Sequence, residues 1–374
     1  MDNFNALAQK ECRPCISMFM PAERTDAEQN RIRFKNLLGR AEQMMDALPE
    51  GYVYPAEAME HAKRLLTDLP FWQHQSDGLA LFLGHEIFQT YCLPIPFEDA
   101  VVVAGQFHLK PVAPLATSDD RFYVLSLSQK RVSLLEGNRY AFQEVKVEGM
   151  PKDIEDALSY DDPERQLQFH TGAAAGSNGR PAMFHGHGVG IDDTKDRILR
   201  YFQEVDKWVS MAMQDEKAPL ILAALPHILP LYKEANSYPH LIEDLIPGNP
   251  DETDAEVLHQ KAWQIQKQRI MKVQEDALAM YHALAGTGKT SKDLKEILSS
   301  AAYGRVGTLF VAKGAHQWGR FDRTAQTVEL HRTQKPGDED LLNTALVETV
   351  LKGGDVYLAD GIPDNAYAAA IFRY

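Results

Sequence analysis

Arg121-Phe122-Tyr123-Val124-Leu125-Ser126-Leu127 is the stretch on which the fold turns. Its apolar and aromatic run from Phe122 to Leu127 predicts a strand. Ser128-Gln129-Lys130 then supplies a turn, and Arg131 to Leu135 a second run. Glu136-Gly137-Asn138-Arg139 turns the chain again into a strand from Ala141 to Val147, so the segment begins as an antiparallel meander. Further on the period changes. Ile198, Tyr201, Phe202, Val205 and Trp208 are spaced for one buried face of a helix from about Asp192 to Met213, with Asp192, Asp193 and Thr194 as capping oxygens. Leu220-Ile221-Leu222-Ala223-Ala224 reads as a buried strand after it. Strands followed by a long helix and another strand make this an α/β segment.

Both flanks of that segment end in turn chemistry. Pro111-Val112-Ala113-Pro114 with Thr117-Ser118-Asp119-Asp120 marks a boundary upstream, and Pro247-Gly248-Asn249-Pro250-Asp251 marks one downstream. The chain has 374 residues, more than one hydrophobic core usually serves, so three domains are expected: 1–115, 116–250 and 251–374. In the first, Cys15 to Met20 reads as a strand. A helix from about Ala27 follows, with Phe34, Leu37, Leu38 and Ala41 on one face. Another helix at 56–68 leads to a hairpin of Gly78 to Leu83 and Ile87 to Leu93. The last domain opens with a helix from Asp254 to Leu284, followed by strands at Leu309 to Ala312, Thr327 to Leu330 and Asp355 to Leu358.

Composition narrows the function. Hydrophobic residues make up 44% and charged residues 25%, which is the balance of a folded globular chain. The formal net charge is −14, and Lys plus Arg against Asp plus Glu gives 10 against 15, 14 against 21 and 15 against 17 in the three segments. A general duplex-DNA binder would carry a basic domain, so DNA is not an expected partner. No apolar run approaches bilayer length, the first residues lack a basic region and apolar stretch, and three cysteines do not make a disulfide framework. The expected compartment is the cytoplasm, and no membrane partner is expected.

The motifs are few. Cys12-Arg13-Pro14-Cys15 has redox spacing, but its second cysteine enters a strand and not a helix N-terminus, which favours a chance pair or a structural thiol. Gly286-Thr287-Gly288-Lys289-Thr290 resembles the end of a phosphate-binding loop. It lacks the upstream glycine, since Ala283 stands there, and follows a long helix; a helix-terminating glycine and an N-cap at Thr290 or Ser291 account for it. Residues 161–190 are turn-rich and carry Gly172, Gly176, Gly179, Gly186, Gly188 and Gly190. So long a loop inside a compact domain is more often functional than inert. Gly186, Gly188 and Gly190 stand just before a helix start, where backbone amides can approach a phosphate or an RNA backbone, or where a connector simply needs positive φ. His170, His185 and His187, with Asp192, form an alternative metal set without a standard ligand spacing. No nucleophile elbow and no His-Glu-x-x-His occurs, and no cofactor is expected.

In order along the whole chain, several stretches resemble the bacterial archaeo-eukaryotic release factor family, in its family 3 branch. They are Arg33 to Leu38, Phe71 to Phe82, Phe107-His108-Leu109-Lys110-Pro111, Arg121 to Ser128, Tyr238-Pro239-His240-Leu241 and Gly314-Ala315-His316-Gln317-Trp318-Gly319-Arg320-Phe321-Asp322. The close Ala369-Ala370-Ile371-Phe372-Arg373-Tyr374 is similar to the end of classical release factors and their ribosome-rescue relatives. The resemblance implies a three-domain α/β protein with a release-factor-like architecture. Its middle domain would be RNase H-like, and its C-terminal domain like the ribosomal proteins that bind kink-turn RNA. Classical members place a Gly-Gly-Gln loop before the long middle helix. Here Phe184 to Gly190 stands in that place, with His187 between Gly186 and Gly188 and no Gly-Gly-Gln triplet, so classical peptidyl-tRNA hydrolysis is not expected. What the resemblance implies is a ribosome-associated factor for rescue, hibernation or stress protection, with the ribosome, rRNA or tRNA and a translational GTPase as partners. Gly186, His187, Gly188, Gly190, Arg31, Arg33 and Lys35 are the candidate RNA contacts, and His187 the candidate for any chemistry. The alternative is a metal-assisted hydrolase or nuclease using His170, His185 and His187.

Overall fold

The computed structural model describes residues 2–49, 51–117, 120–159 and 189–374. The chain forms two units: Met1–Ser118 together with Val273–Tyr374, and Asp119–Lys272. The expected segments 1–115 and 251–374 thus both contribute to the first unit.

That unit begins with α1 (Asp2–Ala8), β1 (Glu11–Pro21), α2 (Ala27–Asp46), α3 (Ala56–Leu65), α4 (Leu69–Gln73), β2 (Gly78–Gly84), β3 (Ile87–Leu93), β4 (Ala100–Gln106) and α5 (Ala113–Thr117). The strands make an antiparallel sheet in the order β3-β2-β1-β4, with Met18 opposite both Leu81 and Val101. β1 and β2 read as continuous apolar runs because both faces of the sheet are covered. Ile16, Met18 and Met20 pack with Phe34, Leu37 and Met59 of α2 and α3. Cys15 and Phe19, pointing the other way by strand alternation, enter a core shared with the far end of the chain.

The second unit holds β5 (Phe122–Leu127), β6 (Val132–Gly137), β7 (Phe142–Val145), α6 (Ile154–Ser159), α7 (Val189–Ala212), β8 (Leu220–Ala224), α8 (Ile228–Ala235) and β9 (Leu241–Pro247). Its sheet runs β7-β6-β5-β8-β9: the meander is antiparallel, while β5, β8 and β9 are parallel. Tyr123, Leu125, Leu220 and Leu222 pack under Tyr201, Phe202, Val205 and Val209 of α7. The alternate residues Phe122, Val124, Ile221 and Ala223 meet Leu258 and Ala262 of α9 (Ala255–Ala283), a helix that contributes residues to both units.

The chain then completes the first unit with β10 (Thr290–Ser291), α10 (Leu294–Ala302), β11 (Val306–Ala312), β12 (Trp318–Asp322), β13 (Thr327–Leu330), β14 (Glu339–Asp340), α11 (Leu341–Leu351), β15 (Asp355–Ala359) and β16 (Ala368–Phe372). One sheet is β10-β16-β11-β15 and a smaller one β13-β12-β14. Helix α11 is buried nearly all round, with Leu341, Leu342, Ala345 and Leu346 in the same core as Phe19 and Phe82.

Three local expectations need correction. Pro111 to Pro114 is not an open linker, since Val112 and Ala113 are buried against the shared core. After α9, Thr290 and Ser291 form a strand paired with β16, and the N-cap of α10 is Asp293, whose carboxylate accepts from Lys295 N. Helix α7 is described from Val189, so Gly190 and Asp192 to Thr194 lie within it and not before it.

Candidate functional site

The glycine-rich stretch proposed for function falls largely outside the described residues, as do His170, His185, Gly186, His187 and Gly188. The basic residues of α2 are described. Arg31 donates to Leu66 O at 2.9 Å and to Glu28 at 3.0 Å. Arg33 donates to Pro21 O at 3.1 Å and sits 3.6 Å from Asp99. Both guanidinium groups therefore brace their own unit, while Lys35 is exposed. The cysteines read as a chance pair or structural thiol are bonded to each other, Cys12 to Cys15, within β1. Their link spans a bulge in which four steps along β1 match two along β4, from Glu11↔Gln106 to Cys15↔Ala104.

A denser polar cluster lies where the two sequence-distant parts of the first unit meet. Asp340, the N-cap of α11, is 1% exposed. Its Oδ1 accepts from Gln317 N at 3.1 Å and Leu342 N at 3.2 Å, and its Oδ2 from Lys110 Nζ at 2.6 Å, with His316 Nδ1 at 2.9 Å. Lys110 is itself buried and also donates to Ala315 O. One turn along α11, Asn343 Oδ1 accepts from Leu109 N and Lys110 N at 2.7 and 2.9 Å, and its amide donates to Phe107 O at 3.0 Å. Asn343 thus serves Phe107 O, Leu109 N and Lys110 N as a neighbouring strand would, while His108 N donates to Ser17 Oγ at 2.9 Å. Gln106 continues the seam, donating to Thr344 Oγ1 at 2.5 Å and accepting from Arg323 at 2.9 Å.

Burial sets the electrostatics. Burial alone would raise the Asp340 carboxyl, but the His316 hydrogen bond and the positive charge of Lys110 outweigh it and hold the group ionised, well below the usual carboxylate range. Burial pushes His108 down to about 3, so its ring is neutral. Among the described residues its Nδ1 has no hydrogen-bond partner. The His108 and His316 rings lie 5.8 Å apart, and His316 stacks on Trp318 at 5.3 Å with planes 6° apart. Among the described residues, His108, His316 and Asp340 bring one ligand atom each to within 4.8 Å of one another.

Phe107 to Pro111 and Gly314 to Asp322 carry the family resemblance in the sequence but no expected site. The available signal was chemical: a histidine and a lysine embedded in Phe107-His108-Leu109-Lys110-Pro111-Val112, where apolar neighbours demand burial. The partner carboxylate is 230 residues away, beyond the reach of any local pattern.

Residues 121–305 match the model of bacterial archaeo-eukaryotic release factor family 3. No curated protein matches the sequence. Among solved structures, archaeal Pelota, in a model of ribosome-bound archaeal Pelota and ABCE1, is similar at 11% identity and TM-score 0.41, covering 100% of this chain and 94% of that one. Dom34 of S. cerevisiae is similar at 9% identity and TM-score 0.38, with 80% and 73% covered. The archaeal translation termination factor aRF1 is similar at 12% identity and TM-score 0.22, with 100% and 96% covered.

Proposed function

We propose that this chain, which carries the bacterial archaeo-eukaryotic release factor family 3 region over residues 121–305, is a cytoplasmic, ribosome-associated translation factor for rescue, hibernation or stress protection. The family match is the observation that carries the reading. The strand order of the second unit, a three-stranded meander with two parallel strands beyond its first strand, supports the RNase H-like assignment of that region. The kink-turn-type assignment of the C-terminal part is taken from the resemblance.

In this reading the three segments 1–115, 116–250 and 251–374 keep the ancestral domain order. The glycine-bearing segment 170–190 is the part that contacts tRNA or rRNA, through backbone amides at Gly186, Gly188 and Gly190 and the imidazole of His187. The chain has no Gly-Gly-Gln triplet, so the contact serves occupancy of the ribosome and not classical peptidyl-tRNA hydrolysis. Lys35, exposed on α2, is the leading proposed phosphate contact, with Arg31 and Arg33 proposed beside it while they also hold Leu66 O and Pro21 O. A translational GTPase is the proposed delivery partner.

Co-sedimentation with ribosomes over a salt series tests the proposal. Binding should weaken steadily as salt rises, and shortening 170–190 should abolish it. Absence of the protein from the ribosomal fraction at low salt, with and without a translational GTPase, overturns the reading.

A further inference from the structure

We propose that His108, His316 and Asp340 form a binding site for a divalent transition-metal ion of the zinc class, in which the metal takes the place now held beside Asp340 by the Lys110 ammonium.

Two imidazoles and a carboxylate are the donor types that zinc and its neighbours in the first transition row take up with solvent in a further position. The three ligand atoms lie within 4.8 Å of one another. Zinc at about 2.0–2.2 Å from each ligand requires ligand atoms about 3.3 Å apart, so the group must close by up to about 1.5 Å. His316 can supply that movement, because its side chain is 41% exposed while Asp340 is fixed. The same exposure gives an ion a way in and leaves room for water.

His108 is the independent sign of a ligand. It is 2% exposed, its Nδ1 has no partner among the described residues, and a buried imidazole nitrogen without a partner is costly. The supporting contacts are those of a built site. Backbone amides of Gln317 and Leu342 hold Oδ1 of Asp340 and turn Oδ2 toward the cluster, and Trp318 stacks on His316 and fixes its plane. Lys110 shows that the position beside Oδ2 already stabilises a positive charge, at 2.6 Å. It is also the competitor: metal binding requires its ammonium to swing away from Asp340 and Ala315 O.

The test uses full-length protein without a histidine tag, treated with chelator and titrated with zinc or cobalt(II). One equivalent per chain should bind, with cobalt giving visible bands of nitrogen and oxygen coordination. His316→Ala, at an exposed position, should weaken binding at least tenfold. Lys110→Met should strengthen it at least tenfold, and zinc should raise that variant's melting temperature. Shortening residues 170–190 should leave the stoichiometry unchanged, which separates this site from the loop histidines and from the ribosome reading. Stoichiometric binding that is indifferent to His316→Ala overturns the proposal. So does the absence of binding in both the unaltered protein and folded Lys110→Met.

Discussion

Asp340 has four hydrogen-bond partners and almost no exposure, so removing its charge strands the buried ammonium of Lys110. Breaking one side of such a pair costs about 3–5 kcal/mol. Asp340→Asn should therefore lower the unfolding free energy by about that amount in urea titrations followed by circular dichroism; a loss below about 1 kcal/mol would show that the pair is solvated. His108 gives a pH signature. Its folded value is about 3, below the ordinary imidazole value, so between the two the unfolded chain binds a proton that the folded chain does not. Stability is full above about pH 6.5 and falls as pH drops toward 3, with a slope approaching about 1.4 kcal/mol per pH unit from this one ring. Asp340, also depressed, adds its loss at the acid end of that range. His108→Phe should remove the part of the slope between pH 6.5 and 4.5, measured by urea midpoints; an unchanged slope would mean the ring is protonated in the folded protein. In the sequence, His108 and Lys110 were visible as odd residues in an apolar run. What they serve was not, because the chemistry depends on Asp340 and His316.

Elements formed where one strand or helix carries its own signal. The meander of β5, β6 and β7, the hairpin of β2 and β3, and the faces of α2 and α7 follow from periods of 2 and 3.6 within single stretches. Short strands whose role is set by distant partners gave no such pattern. β16 is an alanine-rich run that becomes a central strand only between β10 and β11, and β12 is interrupted by Gly319 and Arg320. Gly319 shows why a weak strand residue is needed there. A Cβ at that position would lie 2.0 Å from Glu329 O and 2.8 Å from Leu341 Cδ1, so β12 pairs with β13 and packs on α11 only without a side chain. Gly319→Ala should cost about 1–3 kcal/mol by forcing β12 off its neighbours. Thermal unfolding checks this; an unchanged midpoint would place β13 farther from β12 than described.

At the scale of the molecule, the first unit is made from both ends of the chain. Phe19 and Phe82 share a core with Leu309, Leu342 and Phe372, and Asn343 holds the backbone of 107–110. A fragment of residues 1–117 would expose that apolar face and leave Lys110 buried without Asp340. It should be insoluble alone and recovered as a soluble complex when co-expressed with 273–374; a soluble, cooperatively folding 1–117 would contradict the shared core. Turn chemistry in the sequence suggested boundaries near 115 and 250, whereas the three-dimensional contacts divide the chain at 118/119 and at 272/273, within α9, and bring its two ends into one unit. The family 3 match over residues 121–305 covers most of the second unit and runs on into α9 and α10 of the first, and the segment before α7 is where contact with RNA is proposed. A photo-reactive amino acid placed at position 187, irradiated in the presence of purified ribosomes and mapped by primer extension, tests that contact most directly. The account predicts crosslinks to rRNA or bound tRNA at the tRNA-binding region, lost at high salt. Crosslinks confined to the protein itself, under conditions where it co-sediments with ribosomes, would contradict it.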